Sequence, residues 1–349
     1  MPNRGAARLL VLLITATVLS LAGPASADDA VPQPVLNVDF PDPAVVAAPG
    51  GLVAYATGDL VPHAWSRQAD GPWRRGPGLL THKPSWSREG GVWAVDVARV
   101  RGRWLLYYAT PVKGMGEHGR CIGVARSSAA RGPFRPVGSA PLVCPSYAGT
   151  PTAQDPLLPR DPTLPRAGVI DPSYFRDVDG SSWLLYKTDR LPSTVRAVAL
   201  TPDGQSVETG VSSVELLRSE GVLENPVLTV RPEGYVLLAS EGDWTRCGYR
   251  TTWRRSTSLL DWTAAVGGVL LDTTTSGLCG PGGADLVERA GGEVTAFLHG
   301  WTCRDTVLPC SGTGKWDHKP GQRGRRALYA AELGWVDGVP QVSTWLRAR

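Results

Sequence analysis

The sequence predicts an all-β chain folded as a five-bladed β-propeller, and three observations carry that expectation. Glycine and proline supply 41 and 30 of the 349 residues, too many for a helical bundle, which keeps both out of helix interiors. Short β-rich runs bounded by Gly, Pro and Asp recur instead of helical periodicity, as in Trp104-Leu105-Leu106-Tyr107-Tyr108 and Trp183-Leu184-Leu185-Tyr186. One unit also repeats five times: a carboxylate beside apolar residues, a Gly-containing turn, then a Tyr- or Leu-rich strand. Units of this kind arranged radially put each innermost strand on a central channel. A β-sandwich with accidental internal similarity is the alternative.

In chain order, the first segment reads as a secretory signal. Arg4 and Arg8 precede a mostly apolar run from Leu9 to Ala22, and Ala25-Ser26-Ala27 offers small residues for cleavage. That run falls short of the roughly twenty apolar residues needed to span a bilayer. Residues 1–27 are therefore expected to be removed, leaving residues 28–349 as a single secreted propeller domain. No later run is long and apolar enough to cross a membrane.

The first unit starts at Asp42 in D-P-A-V, with its strand near Tyr55. The second starts at Asp96 in W-A-V-D-V (strand near Tyr107), and the third at Asp171 in I-D-P-S (near Tyr186). Glu224 in L-E-N-P (near Leu238) and Asp285 in G-A-D-L-V (near Phe297) begin the last two. Successive acids lie 54, 75, 53 and 61 positions apart. The longest interval contains Pro145 to Gly168, with six prolines and no strand pattern. It reads as a loop between the second and third blades, on the face where the channel opens. A serine followed by an aromatic recurs as well: Ser66 with Gly71-Pro72-Trp73, Ser127 with Gly132-Pro133-Phe134, Ser256 with Asp261-Trp262. An outer hairpin carrying an aromatic plug explains that pattern.

Composition narrows the function. At 42% hydrophobic and 19% charged, the chain is too apolar for disorder. The formal charge of +4 falls to +2 without Arg4 and Arg8, and the only basic cluster is the short Arg323-Gly324-Arg325-Arg326. A nucleic-acid partner has no support. Six cysteines, none spaced C-x-x-C, point to disulfides in an exported chain rather than a zinc site. Sequence neighbours suggest Cys121–Cys144, Cys247–Cys279 and Cys303–Cys310, among fifteen ways to pair six. A monomer with no metal ligand set is expected.

Radial repetition brings Asp42, Asp96, Asp171, Glu224 and a residue near Gly283 or Asp285 to the channel mouth. Burying a charge costs several kcal/mol, so carboxylates gathered there point to acid–base chemistry, a cation site, or both. Thirteen Trp against four Phe suggests rings that present an apolar face together with a polar edge. Trp244 and Trp301, just after inner strands, are the rim candidates, with Arg246 beside them to bind hydroxyls.

From about Leu36 onward the chain resembles glycoside hydrolase family 43. The stretches that carry the likeness are D-F-P-D-P-A-V, W-A-V-D-V-A-R-V-R-G-R-W-L-L-Y-Y-A, G-V-I-D-P-S-Y-F-R-D-V-D-G, E-N-P, G-P-G-G-A-D-L-V and F-L-H-G-W. The resemblance implies a propeller that hydrolyses arabinose- or xylose-containing polysaccharides or oligosaccharides with inversion, most nearly as an α-L-arabinofuranosidase or arabinanase. Asp42 would be the general base, Glu224 the general acid, and Asp171 the residue that orients the acid and raises its pKa. Asp96 would sit at the rim as a substrate contact or a tie between loops. His299 would contact a bound sugar or a channel cation, with a structural calcium ion the one cofactor left open. The chain departs from the family at Val95 for Pro, at Asn225-Pro226 for Gly-Pro, and at Gly283 for His. A carbohydrate-binding propeller without catalysis, or a retaining fructan-cleaving one, are the competing readings; the latter lacks its N-D-P-N-G stretch here.

Overall fold

The computed structural model describes residues 1, 31–151, 155–289, 291–303 and 324–349. Residues 2–27 of the expected signal peptide and Cys310 lie outside the described residues. Five four-stranded antiparallel sheets are formed, each from consecutive strands. The first is β1 (Ala44–Ala48), β2 (Gly51–Tyr55), β3 (His63–Ser66) and β4 (Arg74–Gly76). The second is β5 (Trp93–Val100), β6 (Arg103–Pro111), β7 (Arg120–Ser127) and β8 (Arg135–Pro136). The third is β9 (Val169–Arg176), β10 (Ser182–Thr188), β11 (Ser193–Leu200) and β12 (Val214–Ser219). The fourth is β13 (Leu223–Arg231), β14 (Gly234–Glu241), β15 (Arg250–Ser256) and β16 (Val266–Leu271). After a one-turn helix α1 (Thr273–Ser276), the fifth is β17 (Cys279–Glu288), β18 (Val294–Cys303), β19 (Gly324–Val336) and β20 (Val339–Trp345). These are the five blades of a β-propeller.

The unbroken apolar runs follow from burial on both faces. Along β6, Trp104, Leu106 and Tyr108 pack toward blade 1 with Val53 and Tyr55. Leu105, Tyr107 and Ala109 alternate with them and pack toward blade 3 with Leu184 and Tyr186. The remaining junctions repeat this: Leu185 and Leu237 between blades 3 and 4, Leu238 and Leu298 between 4 and 5, Ala54 and Phe297 between 5 and 1. Burying one such side chain is worth about 1.5–3 kcal/mol, so neighbouring blades hold each other.

The aromatic plugs stand at these junctions. Trp73 meets Phe297 edge to face at 6.0 Å and donates to the Ala69 carbonyl. Phe134 meets Tyr55 at 6.3 Å, and Trp262 donates to the Leu259 carbonyl between blades 3 and 4. The ring closes where β20 stops short along β19. There the amide of Val35 donates to the Leu328 carbonyl, Leu328 to Leu36, and Phe40 to Arg326.

The loop from Pro145 to Gly168 is tied down at both ends. Cys121 and Cys144 are bonded just before it, and Tyr147 Oη donates to the Ala167 carbonyl at 2.6 Å. Cys247–Cys279 links the loop after β14 to the start of β17. Both pairs match the expected connectivity.

Candidate active site

The site is built from one backbone irregularity used five times. Inner strands β5, β9 and β13 each carry one residue more than their neighbours near the mouth, and β17 carries two, one on either side of Gly282. Blade 1 repeats this just ahead of β1, where the Thr57 amide donates to the Pro41 carbonyl and Ala44 pairs with Tyr55. A β-bulge of this kind re-aims side chains. Its residues take left-handed φ angles: 49° at Asp42, 28° at Ala94, 55° at Asp171, 48° at Asn225 and 60° at Gly283. Such values are uncommon outside glycine and mark strain held by the surroundings.

Three residues per blade, the bulge residue and the next two, line a pit of about 30 Å³. This corrects the alignment of acids expected from spacing. Asp42 and Asp171 are bulge residues, whereas Glu224 stands one residue before its bulge at Asn225. Asp96 and Asp285 stand two residues after theirs, at Ala94 and Gly283. Side chains alternate along a strand, so a shift of one or two positions changes what each acid faces.

The upper acids meet charged partners. Arg326 Nη1 lies 3.3 and 3.4 Å from the two Asp42 carboxylate oxygens, and Thr57 Oγ1 donates to Oδ2 at 2.9 Å. Burial opposes the Asp42 charge, but Arg326 and the other partners outweigh it and hold the carboxyl below its usual range. Glu224 is gripped at both oxygens: Lys187 Nζ at 2.7 Å from Oε2, Tyr249 Oη at 2.9 Å from Oε1. Asp171 accepts the Asn225 amide at 3.0 Å. Burial and then the neighbouring Glu224 push the Asp171 carboxyl up to about 8, with Lys187 pulling the other way.

His299 is completely buried, its ring stacked on Tyr249 at 5.8 Å. Its Nδ1 accepts the Asp42 amide at 3.1 Å, which assigns the proton to Nε2. Burial and then Arg326 push this imidazole down to about 3, so it is neutral. A Cβ at Gly283 would come within 2.7 Å of His299 Nδ1. The histidine that the family resemblance puts at position 283 has no room in this backbone.

Asp96 and Asp285, deeper in the channel, meet backbone. Asp96 accepts the amides of Tyr174 at 2.5 Å and Val97 at 2.7 Å; Asp285 accepts the Val45 amide at 2.6 Å. Each thereby ties its own blade to the next. Burial pushes Asp96 up to about 6, and burial with the Asp96 charge pushes Asp285 up to about 8. Asp96 is thus placed at a junction between blades 2 and 3.

The expected rim is rearranged. Trp301 is 3% exposed, and its indole N–H donates to the Trp244 carbonyl at 2.8 Å. It supports Trp244, whose ring stacks on it at 6.3 Å and carries the Arg326 guanidinium at 4.6 Å. A buried indole offers sugar no face, so Trp244 alone of the two keeps a surface, at 36% exposed. Arg246 is turned to Asp243, 3.8 Å away.

Sequence reading missed Lys187, Tyr249, Thr57 and Arg326. A lysine directly after the apolar run Leu184-Leu185-Tyr186 was a legible signal, because buried lysine demands a partner. Arg326 was visible only as part of a basic cluster. No group of three or more His, Cys, Asp or Glu side chains is arranged to hold a metal among the described residues.

Residues 31–340 match the family model described as "Glycosyl hydrolases family 43". An extracellular endo-α-(1→5)-L-arabinanase of Bacillus subtilis (strain 168) is 26% identical over 233 residues, 62% of this chain and 63% of that protein. The chain thus spans under two thirds of this curated relative's length. A thermostable family-43 glycoside hydrolase superposes with a TM-score of 0.68 at 18% identity, covering 91% of this chain and 97% of the other. The α-L-arabinanase of Cellvibrio cellulosa does so at 0.66 and 20%, covering 89% and 99%.

Proposed function

The chain belongs to glycosyl hydrolases family 43, and from that premise we propose that it hydrolyses glycosidic bonds in arabinose- or xylose-containing polysaccharide with inversion, acting as a secreted monomer. Arabinan is the favoured substrate class, since an arabinanase is both the curated relative and a structural neighbour. The observation that carries the reading is the opposite electrostatic treatment of two carboxyl groups in one pit. Asp42 is held ionised, whereas Asp171 beside Glu224 is pushed up to about 8. Carboxyls driven apart in this way take the base and acid roles: Asp42 is the base, and Asp171 is the proton-holding neighbour of the acid, Glu224.

In the proposed step, Asp42 takes a proton from a water whose oxygen attacks the anomeric carbon. The bond to the leaving oxygen breaks as Glu224 gives that oxygen its proton. Asp171 accepts the amide of Asn225, next to the acid, and its own carboxyl, raised by burial and by Glu224, keeps a proton there. Arg326 and Thr57 keep Asp42 aimed and charged. Trp244 would carry a sugar ring at the mouth.

Release of arabinose or xylose from a panel of aryl glycosides and polysaccharides tests this. Activity lost by about 10²–10⁴-fold in Glu224→Gln, with inverted product by NMR, is the expected result. Retained configuration would point to the fructan-type mechanism. Polysaccharide binding without release, equal in wild type and Glu224→Gln, would establish a binding propeller instead.

A further inference from the structure

Facing each bulge, the second strand of every blade, or in blade 1 the segment just after β2, places one residue in a common row. Thr57, Ala109, Lys187, Ser240 and His299 pair there with Pro41, Trp93, Ile170, Glu224 and Gly282. Three of the five do the same job. Thr57 Oγ1 accepts the Ala94 amide at 2.8 Å, Ser240 Oγ the Gly283 amide at 2.8 Å, and His299 Nδ1 the Asp42 amide at 3.1 Å. Each is an acceptor for the bulge N–H of the following blade.

Lys187 breaks the row. An ammonium group has three donors and no acceptor, so the Asn225 amide turns to Asp171 Oδ2 instead. The Lys187 side chain, 5% exposed, crosses to blade 4 and ends 2.7 Å from Glu224 Oε2. Asp189 stands 3.9 Å away. Burial opposes the lysine charge, but Glu224 and Asp171 reverse that and raise it. One substitution in the row therefore does two things: it aims a cation at Glu224 and gives Asp171 its backbone anchor.

We propose that Lys187 is a positioning residue that holds Glu224 and sets the pH at which the Asp171–Glu224 pair releases its proton, fixing the alkaline limit of catalysis. This rests on the acid–base reading of the pit. The charged and titratable groups around the ammonium come from every packed element: Glu224 on β13, Asp171 on β9, Asp189 after β10, Tyr249 before β15, and Asp42 before β1. Arg120 on β7 faces Asp189. A cation next to a carboxyl pair lowers the pH at which it ionises. Removing the cation therefore moves proton loss, and the alkaline limb of kcat/KM, to higher pH.

The first readout needs no substrate: ¹³C NMR titration of the side-chain carboxyls in the full chain. Lys187→Met is expected to raise proton loss from the pair by about one pH unit or more, while Lys187→Arg stays close to wild type. On an aryl arabinofuranoside, kcat of Lys187→Met should fall with KM changed less than about threefold, and the alkaline limb should rise with the carboxyl titration. Lys187→Ser, the residue type found at position 240 of the same row, serves if Met prevents folding. An unmoved titration in a folded neutral variant overturns the proposal. So does a Lys187→Arg titration displaced as far as the neutral variant's. A displaced titration with no hydrolysis of any glycoside supports the lysine's role and overturns the catalytic reading instead.

Discussion

Two layers of buried carboxyl groups lie within a few residues of each other along the channel, and they are treated in opposite ways. Asp42, Asp171 and Glu224 at the mouth have Arg326 and Lys187 among them. Asp96 and Asp285, two residues beyond their bulges, have only backbone amides. A neighbouring cation such as Arg326 or Lys187 favours the charged form of a buried carboxyl. One anchored by the amide of a neighbouring blade is a strut. The same residue type thus meets side-chain cations or backbone amides according to its offset from one bulge.

The largest test of that contrast is Asp42→Asn. With the proposed general base removed, kcat should fall by about 10²–10⁴-fold with little change in KM; steady-state kinetics on an aryl arabinofuranoside would check it. If Asp285→Asn lost as much, the division into layers would be wrong. A smaller effect belongs to Arg326→Met. Without the guanidinium, burial prevails at Asp42 and raises its pKa, so the acidic limb of the pH–rate profile should move to higher pH. The fold should persist, since Arg326 is not part of the apolar clusters.

The smallest effects fall on stability in the lower layer. Asp285→Ala leaves the Val45 amide without its acceptor, which costs about 1–3 kcal/mol and should lower the melting temperature by several degrees. Asp285→Asn keeps an acceptor but cannot ionise. A carboxyl raised to about 8 in the folded state contributes stability that is full below its unfolded pKa near 4. That contribution drains away as pH rises through about 8. Asp285→Asn should therefore match wild type near pH 4 and exceed it near pH 8, as thermal melts across that range would show. A difference between the two melting temperatures that stays the same from pH 4 to pH 8 would contradict the raised state of this buried acid.

Most of the blade architecture was legible because its signals are local. Turn residues, the Tyr- and Leu-rich strands and the aromatic plugs lie within one blade, and the Trp104–Tyr108 run shows burial on both faces directly. The pit was half legible. Its acids announced themselves by repetition, but spacing alone aligned Asp96 and Asp285 with Asp42. Seeing the offset requires the strand register, which depends on pairing with β6 and β18. Trp301 was misplaced for a like reason: the ring that covers it, Trp244, comes from another blade.

By itself, then, the sequence determined the five blades and which carboxyls reach the channel, since both follow from short-range periodicity and turn chemistry. Tertiary structure alone decided what each carboxyl does. The groups that set their charge arrive from far along the chain: Arg326 is 284 positions from Asp42, His299 is 257 away, and Lys187 reaches Glu224 across 37. Electrostatic and hydrogen-bond partners act over a few ångströms of space. Only closure of the ring brings those ångströms about.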